Sequence, residues 1–491
     1  MQNPTLIQYF EWYLPETGTH WCRCSAQAEN LAKLGINMAW LPPAYKGNGG
    51  ASDVGYAVYD TYDLGEFAQK GSVDTKYGSK ADYLKCIQKM QASGISVLAD
   101  IVLNHRIGAD DCETIKATEI EGTNRYKSLS AEGSKDVTVW TKFNFDARGG
   151  KYSNFKWNWT HFDGTDWDDI TKRNKLLRFS GKTWDDDVDS ENGNYDYLMG
   201  ADLDMSHPEV LAEMDHWGKW YLDTTGIDGM RLDAVKHIDA DFFNKWLKDM
   251  REHKGSDFFA VGEYWSPKLE SLLSYLDKSG KCMSLFDVPL HFHFHEISNA
   301  NGHYDMRALY KDTLVQKDAW HAVTFVDNHD TQPGQALQSF VSAWFKPLAY
   351  GLILLNQHGL PCVFYGDLYG IPHDGIMPVV ELPKLIYLRK IAAYGPQNDY
   401  FDHPNIVGFT REGDLEHPNS GLAMLISDTV DGEKKMYIGK HFSSKTFYNV
   451  FGNPLETTII DSNGYGTFKV HGGSMSVWVT KEIYENIQIH V

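Results

Sequence analysis

The sequence predicts an α/β protein: a (β/α)8 TIM barrel with an inserted β-rich domain after its third strand and a C-terminal antiparallel β-sandwich. Three observations carry this. Short apolar runs alternate with helical stretches through residues 1–105 and again through 207–394, the rhythm of a parallel sheet covered by helices. Residues 106–206 break that rhythm. They are rich in Asp, Asn, Gly and Trp with short alternating segments, and a structureless loop of that length does not belong inside a compact domain. From 395 to 491 the pattern is all-β, with Asn-Gly and Gly-Gly turn signals between strands.

Taken in order, Thr5–Tyr9 reads as the first strand and Ser25–Leu34 as a helix ended by Gly35. Asn37–Leu41 is a strand stopped by Pro42-Pro43, Ala81–Ser93 a helix, and Ser96–Leu103 the third strand. After the insertion, Pro208 suits the first turn of a helix over Pro208–Thr224. Strand Gly229–Leu232, helix Asp241–Glu252, strand Phe258–Glu263, helix Lys268–Leu276 and strand Met283–Phe286 follow. A helix is expected near Met306–Leu314, then strand Ala322–Val326, helix Leu348–Gln357, strand Cys362–Tyr365 and helix Leu382–Ala393. The tail reads as strands Ile406–Thr410, Gly421–Ile426, Lys435–Ile438, Thr446–Val450, Gly466–Val470 and Met475–Val479.

A chain of 491 residues calls for two or three domains. The formal net charge of −20 disfavours nucleic acid and anionic membrane surfaces as partners and suits a neutral substrate and metal cations. Aromatic residues make up 13%; most belong in cores, and a surplus in loops fits flat contacts with sugar rings. The six cysteines are scattered with no Cys-x-x-Cys, which favours a reducing compartment. Met1-Gln2-Asn3-Pro4 leads straight into a strand with no basic segment and apolar run, so a cytoplasmic location is expected. The longest apolar region, Leu348–Leu355, is too short to span a bilayer.

The chemistry centres on Gly229-Met230-Arg231-Leu232-Asp233. An Arg two residues before an Asp on a strand points to the same face and should lower the Asp pKa and keep it ionised. A structural Arg–Asp pair would explain those two residues alone. Two more strand ends argue against it: Ala260-Val261-Gly262-Glu263-Tyr264-Trp265, and Thr324-Phe325-Val326-Asp327-Asn328-His329-Asp330. In a (β/α)8 barrel, groups at the C-terminal strand ends form the active site.

With Asp100-Ile101-Val102-Leu103-Asn104-His105, these stretches resemble, in order and spacing, the four signature regions of glycoside hydrolase family 13, the α-amylase family. The likeness runs from Gln8-Tyr9-Phe10-Glu11-Trp12 to Gly472-Gly473-Ser474 and is strongest to the bacterial liquefying amylases and their cytoplasmic relatives. It implies an endo-acting retaining α-amylase that hydrolyses internal α-1,4 bonds of starch, glycogen or maltodextrins. Asp233 would be the nucleophile, Glu263 the general acid/base and Asp330 the third carboxylate, holding sugar hydroxyls. Glu263 stands beside Tyr264 and Trp265, where partial desolvation would keep it protonated. His105, His329 and Tyr56 would contact the sugar at the cleaved bond, Arg231 would orient Asp233, and Lys236, His237 and Trp265 would line the cleft.

The acid-rich insertion would bind calcium, because hard cations need clustered oxygens. By resemblance Asn104, Asp196, Asp202 and the carbonyl of His237 hold one Ca2+, and Asp163, Asp185 and Asp204 extend it to a calcium–sodium–calcium cluster. Ser206 stands where secreted members carry another Asp, and Pro404 and Asn405 replace the His-Asp of a further site, so that last site is not expected. The resemblance implies an α-glucan as the substrate partner; no nucleic-acid or membrane partner is expected, and a monomer is. Two rivals remain: a transglycosylase of the same family, separated by whether new reducing ends appear, and a non-catalytic glucan-binding protein, disfavoured by three carboxylates at strand ends.

Overall fold

The computed structural model describes residues 3–130, 133–452 and 456–490. Eight parallel strands close into a barrel: β1 (Leu6–Gln8), β2 (Met38–Leu41), β3 (Ser96–Ile101), β4 (Gly229–Leu232), β5 (Phe259–Gly262), β6 (Ser284–Phe286), β7 (Ala322–Phe325) and β8 (Leu360–Phe364), with β8 pairing back onto β1. Almost every residue of these strands is buried, so apolar continuity rather than alternation is their signature. The β3–β4–β5 register places Arg231 beside Asp100 and Val261. That sets a charged pair at one height near the C-terminal rim.

Local chemistry ends the helices where expected. His207 caps Pro208–Thr225, Pro208 fills its first turn, and Gly226 closes it at φ 69°. Ser79 caps Lys80–Ala92 by accepting from the Asp82 amide.

The helix expected near Met306–Leu314 is not there. That stretch holds a single 3-10 turn, Met306–Ala308, and the four-residue helix Leu314–Lys317 follows. Met306 N–H bonds the Pro404 carbonyl, and the amides of Leu314 and Val315 donate to the buried Asp287 carboxylate at 3.0 and 2.7 Å. The helix after β6 is Val288–Asn299, capped by Asp287. The alternation His291-Phe292-His293-Phe294-His295 has the period of a strand and hid it.

The insertion forms a seven-stranded sheet that starts at His105–Arg106, directly after β3, and pairs that segment with Ala201–Leu203. The C-terminal region forms a six-stranded antiparallel sheet and a two-stranded sheet, Gly432–Tyr437 with Tyr465–Val470. Their shared core includes Ile406, Leu425, Met436, Phe447, Phe468 and Trp478. Strand Gln397–Tyr400 and helix Lys481–His490 were not foreseen. Among the described residues, no helix is long and apolar enough to cross a membrane.

Candidate active site

Arg231 is the hub. Its guanidinium is fully buried, with Nη1 2.8 Å from Asp100 Oδ1 and 2.6 Å from Asp233 Oδ1, and Nη2 2.9 Å from Glu263 Oε2. Three strands therefore deliver three carboxylates to one cation: Asp100 from β3, Asp233 one residue past β4, and Glu263 one residue past β5. The two rim acids are locked by ladder-like bonds, Asp233 N–H to Ile101 O and Glu263 N–H to Leu232 O, both 2.9 Å. Ala234 then turns in the left-handed region at φ 50°, a conformation that costs energy in a non-glycine residue and clusters at functional sites. Its amide lies 3.3 Å from Glu263 Oε2.

The electrostatics differ from the sequence expectation at one point. Arg231 does pull Asp233 down, but burial outweighs it, and the net effect pushes Asp233 up to about 6. The carboxylate is still largely ionised at neutral pH. Glu263 is raised by burial and by Asp233, against Arg231. Asp330 is raised well above the usual carboxylate range by burial and then by Glu263. Four acids facing one Arg cannot all ionise in such a site, so the arrangement separates an ionised carboxylate from protonated ones.

Tyr56 Oη donates to Asp100 Oδ2 at 2.7 Å, and His105 Nε2 is 2.9 Å from the Tyr56 carbonyl. His329 Nε2 lies 3.2 Å from Asp330 Oδ2. The Tyr56 and His329 rings stack with centroids 5.0 Å apart. Burial, and then Arg231, hold His329 well below its ordinary pKa. Lys236 and His237 follow β4 in a short 3-10 turn, Val235–His237. Lys236 Nζ contacts Glu191 at 3.0 Å and the Trp265 carbonyl at 3.2 Å, and His237 Nδ1 is 2.6 Å from the Tyr195 carbonyl. Trp265 packs its ring beside His291 and Phe292.

Asp100 and Gln8 both fall inside the sequence motifs without a role there, and Gln8 reaches His329 Nδ1 at 2.8 Å. A fully buried acid inside an apolar strand was the available signal for Asp100. Glu191 and Tyr195, from the insertion, carried no signal; only the fold brings them to Lys236.

In the insertion, Asp163, Asp185 and Asp204 bring carboxylate oxygens within 4.8 Å of one another. Asp196 accepts the Asp185 amide at 3.0 Å, and the Asn104 side-chain amide lies 3.3 Å from Asp202 Oδ1. Asp163 Oδ2, Asp185 Oδ2 and Asp202 Oδ2 are buried with no hydrogen-bond partner. Burial and mutual repulsion push Asp163 up to about 10 and Asp196 to about 7. Orphaned, crowded carboxylate oxygens fit a hard cation. Ser206, in place of an acid, donates to Asp204 Oδ1 at 2.6 Å, and Lys182 bonds the other Asp204 oxygen. At the expected gap further on, the Asn405 amide itself bridges Gly302 O and Asp428 Oδ1, both at 3.0 Å.

Residues 25–378 match the α-amylase catalytic domain and 422–479 the α-amylase C-terminal domain. The chain is 54% identical to an α-amylase of Geobacillus stearothermophilus over 98% of this chain and 87% of that protein. It is 50% identical to an α-amylase of Bacillus licheniformis, covering 98% and 94%, and 44% identical to the cytoplasmic α-amylase of Escherichia coli K12, covering 98% and 100%. An α-amylase structure from Geobacillus thermoleovorans superposes with a TM-score of 0.62 at 18% identity over 97% of this chain and 96% of that one, a likeness of fold. With the catalytic-domain match spanning most of a chain whose barrel rim gathers these carboxylates, the protein belongs to the α-amylase family and is a glycoside hydrolase.

Proposed function

We propose that this protein is an endo-acting, retaining α-amylase cleaving internal α-1,4-glucosidic bonds of starch, glycogen or maltodextrins, with Asp233 as nucleophile, Glu263 as general acid/base and Asp330 as the third carboxylate. The observation that carries this is Arg231 touching both Asp233 and Glu263. One guanidinium shared by two carboxylates favours the short separation, about 5–5.5 Å, of retaining enzymes over the wider gap that admits an inverting water. Protonated Glu263 gives its proton to the leaving glycosidic oxygen as Asp233 attacks the anomeric carbon, forming a glycosyl ester. Glu263, now a carboxylate, takes a proton from water, which displaces Asp233 and regenerates both groups. Tyr56, His105 and His329 line the sugar being cleaved, Asp330 holds its hydroxyls, and Lys236, His237 and Trp265 line the leaving-group side.

The calcium reading rests on the orphaned oxygens. Asp163, Asp185 and Asp204, with Asp196, Asp202, Asn104 and the His237 carbonyl, would hold Ca2+. When bound, the ion neutralises their charge and ties the insertion to the barrel. A cytoplasmic location draws support from the 44%-identical relative that carries that word in its name.

NMR of the first-formed anomer from maltoheptaose tests the mechanism. Initial α-anomer at new reducing ends is expected; initial β-anomer overturns retention, and chain disproportionation without new reducing ends overturns hydrolysis.

A further inference from the structure

A buried charge cluster lies behind the β7 rim and has no part in the chemistry above. Lys346 begins the helix Lys346–Leu354 yet is only 2% exposed. Its ammonium is 2.9 Å from Asp327 Oδ2, bonds Asp367 Oδ1, and sits 3.4 Å from the Phe340 ring centroid. Tyr350, one turn along the same helix, donates to Asp367 Oδ2 at 2.7 Å. A buried ammonium is costly unless paired. This one is paired twice, to acids on two different rim segments: Asp327 lies two residues past β7 and Asp367 three past β8.

The β7 acid shapes a turn. Asp327 Oδ1 accepts Thr331 Oγ1–H at 2.8 Å and the Val341 amide at 3.3 Å. Thr331 Oγ1 accepts the Asn328 amide at 3.0 Å, and Asn328 Oδ1 accepts the amides of Asp330 and Thr331, each at 2.9 Å. The segment from Asp327 to Thr331 is thus a closed loop whose apex presents His329 and Asp330. Every bond that closes it converges on Asp327 or Asn328, and the only cation on Asp327 among the described residues is Lys346.

We propose that Lys346 is a positioning residue: by tying Asp327 to Asp367 it fixes the turn that holds His329 and Asp330 against the sugar. The proposal rests on the reading of those two residues as sugar-contacting. It predicts a loss of turnover in molecules that remain folded, because Lys346 reaches no reacting atom and acts only through the turn.

The test uses full-length Lys346→Met, Lys346→Arg, His329→Gln, Asp330→Asn, Lys346→Met/His329→Gln and the charge-conserving Lys346→Met/Asp367→Asn. The last keeps the question open to test if the single substitution does not fold. Folded fraction is read by thermal scan and near-ultraviolet circular dichroism, and kcat and KM on a maltoheptaoside with a chromogenic leaving group. Lys346→Met should lower kcat per folded molecule roughly 100-fold with KM within about threefold. Lys346→Arg should recover most of it, and Lys346→Met/Asp367→Asn should show the same loss as Lys346→Met. Adding His329→Gln should cost less than the product of the two single losses, because both act through one turn. A kcat per folded molecule within about threefold of the parent in Lys346→Met, or in Lys346→Met/Asp367→Asn where the single substitution does not fold, or strictly multiplicative losses with His329→Gln, overturns the proposal. Near-parental turnover of Asp330→Asn overturns instead the assignment of Asp330 on which it rests.

Discussion

Arg231→Met replaces the guanidinium shared by Asp100, Asp233 and Glu263 with an apolar side chain of similar reach. The lost contacts are 2.8, 2.6 and 2.9 Å long, with the Arg231 side chain fully buried. Unit charges about 4 Å apart at an effective dielectric near 20 interact by about 4 kcal/mol, which is about 3 pKa units. Burial has already pushed Asp233 to about 6 with Arg231 opposing; without that opposition it should move to about 9. The nucleophile works ionised, so activity is present above its pKa and lost below it. Raising the pKa therefore moves the acid limb of kcat/KM toward alkali. At pH 7 the ionised fraction falls from about nine-tenths to about one-hundredth, a loss of roughly 100-fold from protonation alone. The assay is kcat/KM from pH 4.5 to 10 on a chromogenic maltoheptaoside, alongside thermal scans. A limb that stays near pH 6 while activity drops uniformly would refute the electrostatic role and leave Arg231 as mere scaffolding.

Asp233→Asn and Glu263→Gln should each lower turnover by at least ~10³-fold, about 4 kcal/mol of barrier, with unchanged melting curves; near-normal starch hydrolysis by either would sink the assignment. Asp100→Asn should lower kcat while Tyr56 and Trp40 keep their contacts, because Asp100 is the second anchor of Arg231; an unaffected kcat would show that Asp233 and Glu263 suffice to hold it. Chelation should lower the melting temperature, and Ca2+ should restore it. In chelator the loss should deepen with pH. Asp196 and Asp163 have folded-state pKa values raised to about 7 and about 10. The unfolded chain releases those protons first, so the folded state loses stability as pH rises from about 4 through those values. A chelated melting curve that does not fall between pH 5 and 8 would contradict this, as would a purified protein without bound calcium that is indifferent to added calcium.

The barrel was legible because its strands are short apolar runs ended by Pro, Gly or an acid, and their spacing survives any tertiary detail. Asp233 and Glu263 stood out for the same reason, since each directly follows such a run, whereas Asp330 lies five residues past β7 and stood out only through its motif. What failed was local. His291–His295 alternates like a strand, yet Asp287 caps it as a helix and also takes the Leu314 and Val315 amides. No window of sequence contains both halves of that interaction. Lys236 shows the same limit, since its partner Glu191 lies 45 residues away in a turn of the insertion. The sign of the Asp233 shift failed for another reason: a neighbouring Arg is visible in sequence, but the burial that outweighs it is not.

The rim and the insertion are two answers to one physical problem. Each gathers more carboxylates than a protein interior tolerates. At the rim, Arg231 is built in and opposes the upward push of burial on Asp233, Glu263 and Asp330 alike, touching Asp233 and Glu263 directly. A permanent cation there makes the proton distribution a property of the fold, as acid–base chemistry requires. In the insertion, Lys182 reaches Asp204 alone, and Asp163, Asp185 and Asp202 keep orphaned oxygens. On the calcium reading proposed above, that deficit would be met by protons at low pH and by the ion at higher pH, so the insertion would depend on solution conditions while the chemistry at the rim would not. Because Asp189 donates its amide to the Lys236 carbonyl and accepts from Tyr264, loosening the insertion should disturb the leaving-group side first. Partial chelation should therefore shift the product distribution from long maltooligosaccharides before it lowers the hydrolysis rate of a short chromogenic substrate; a rate loss without a product shift would count against this order.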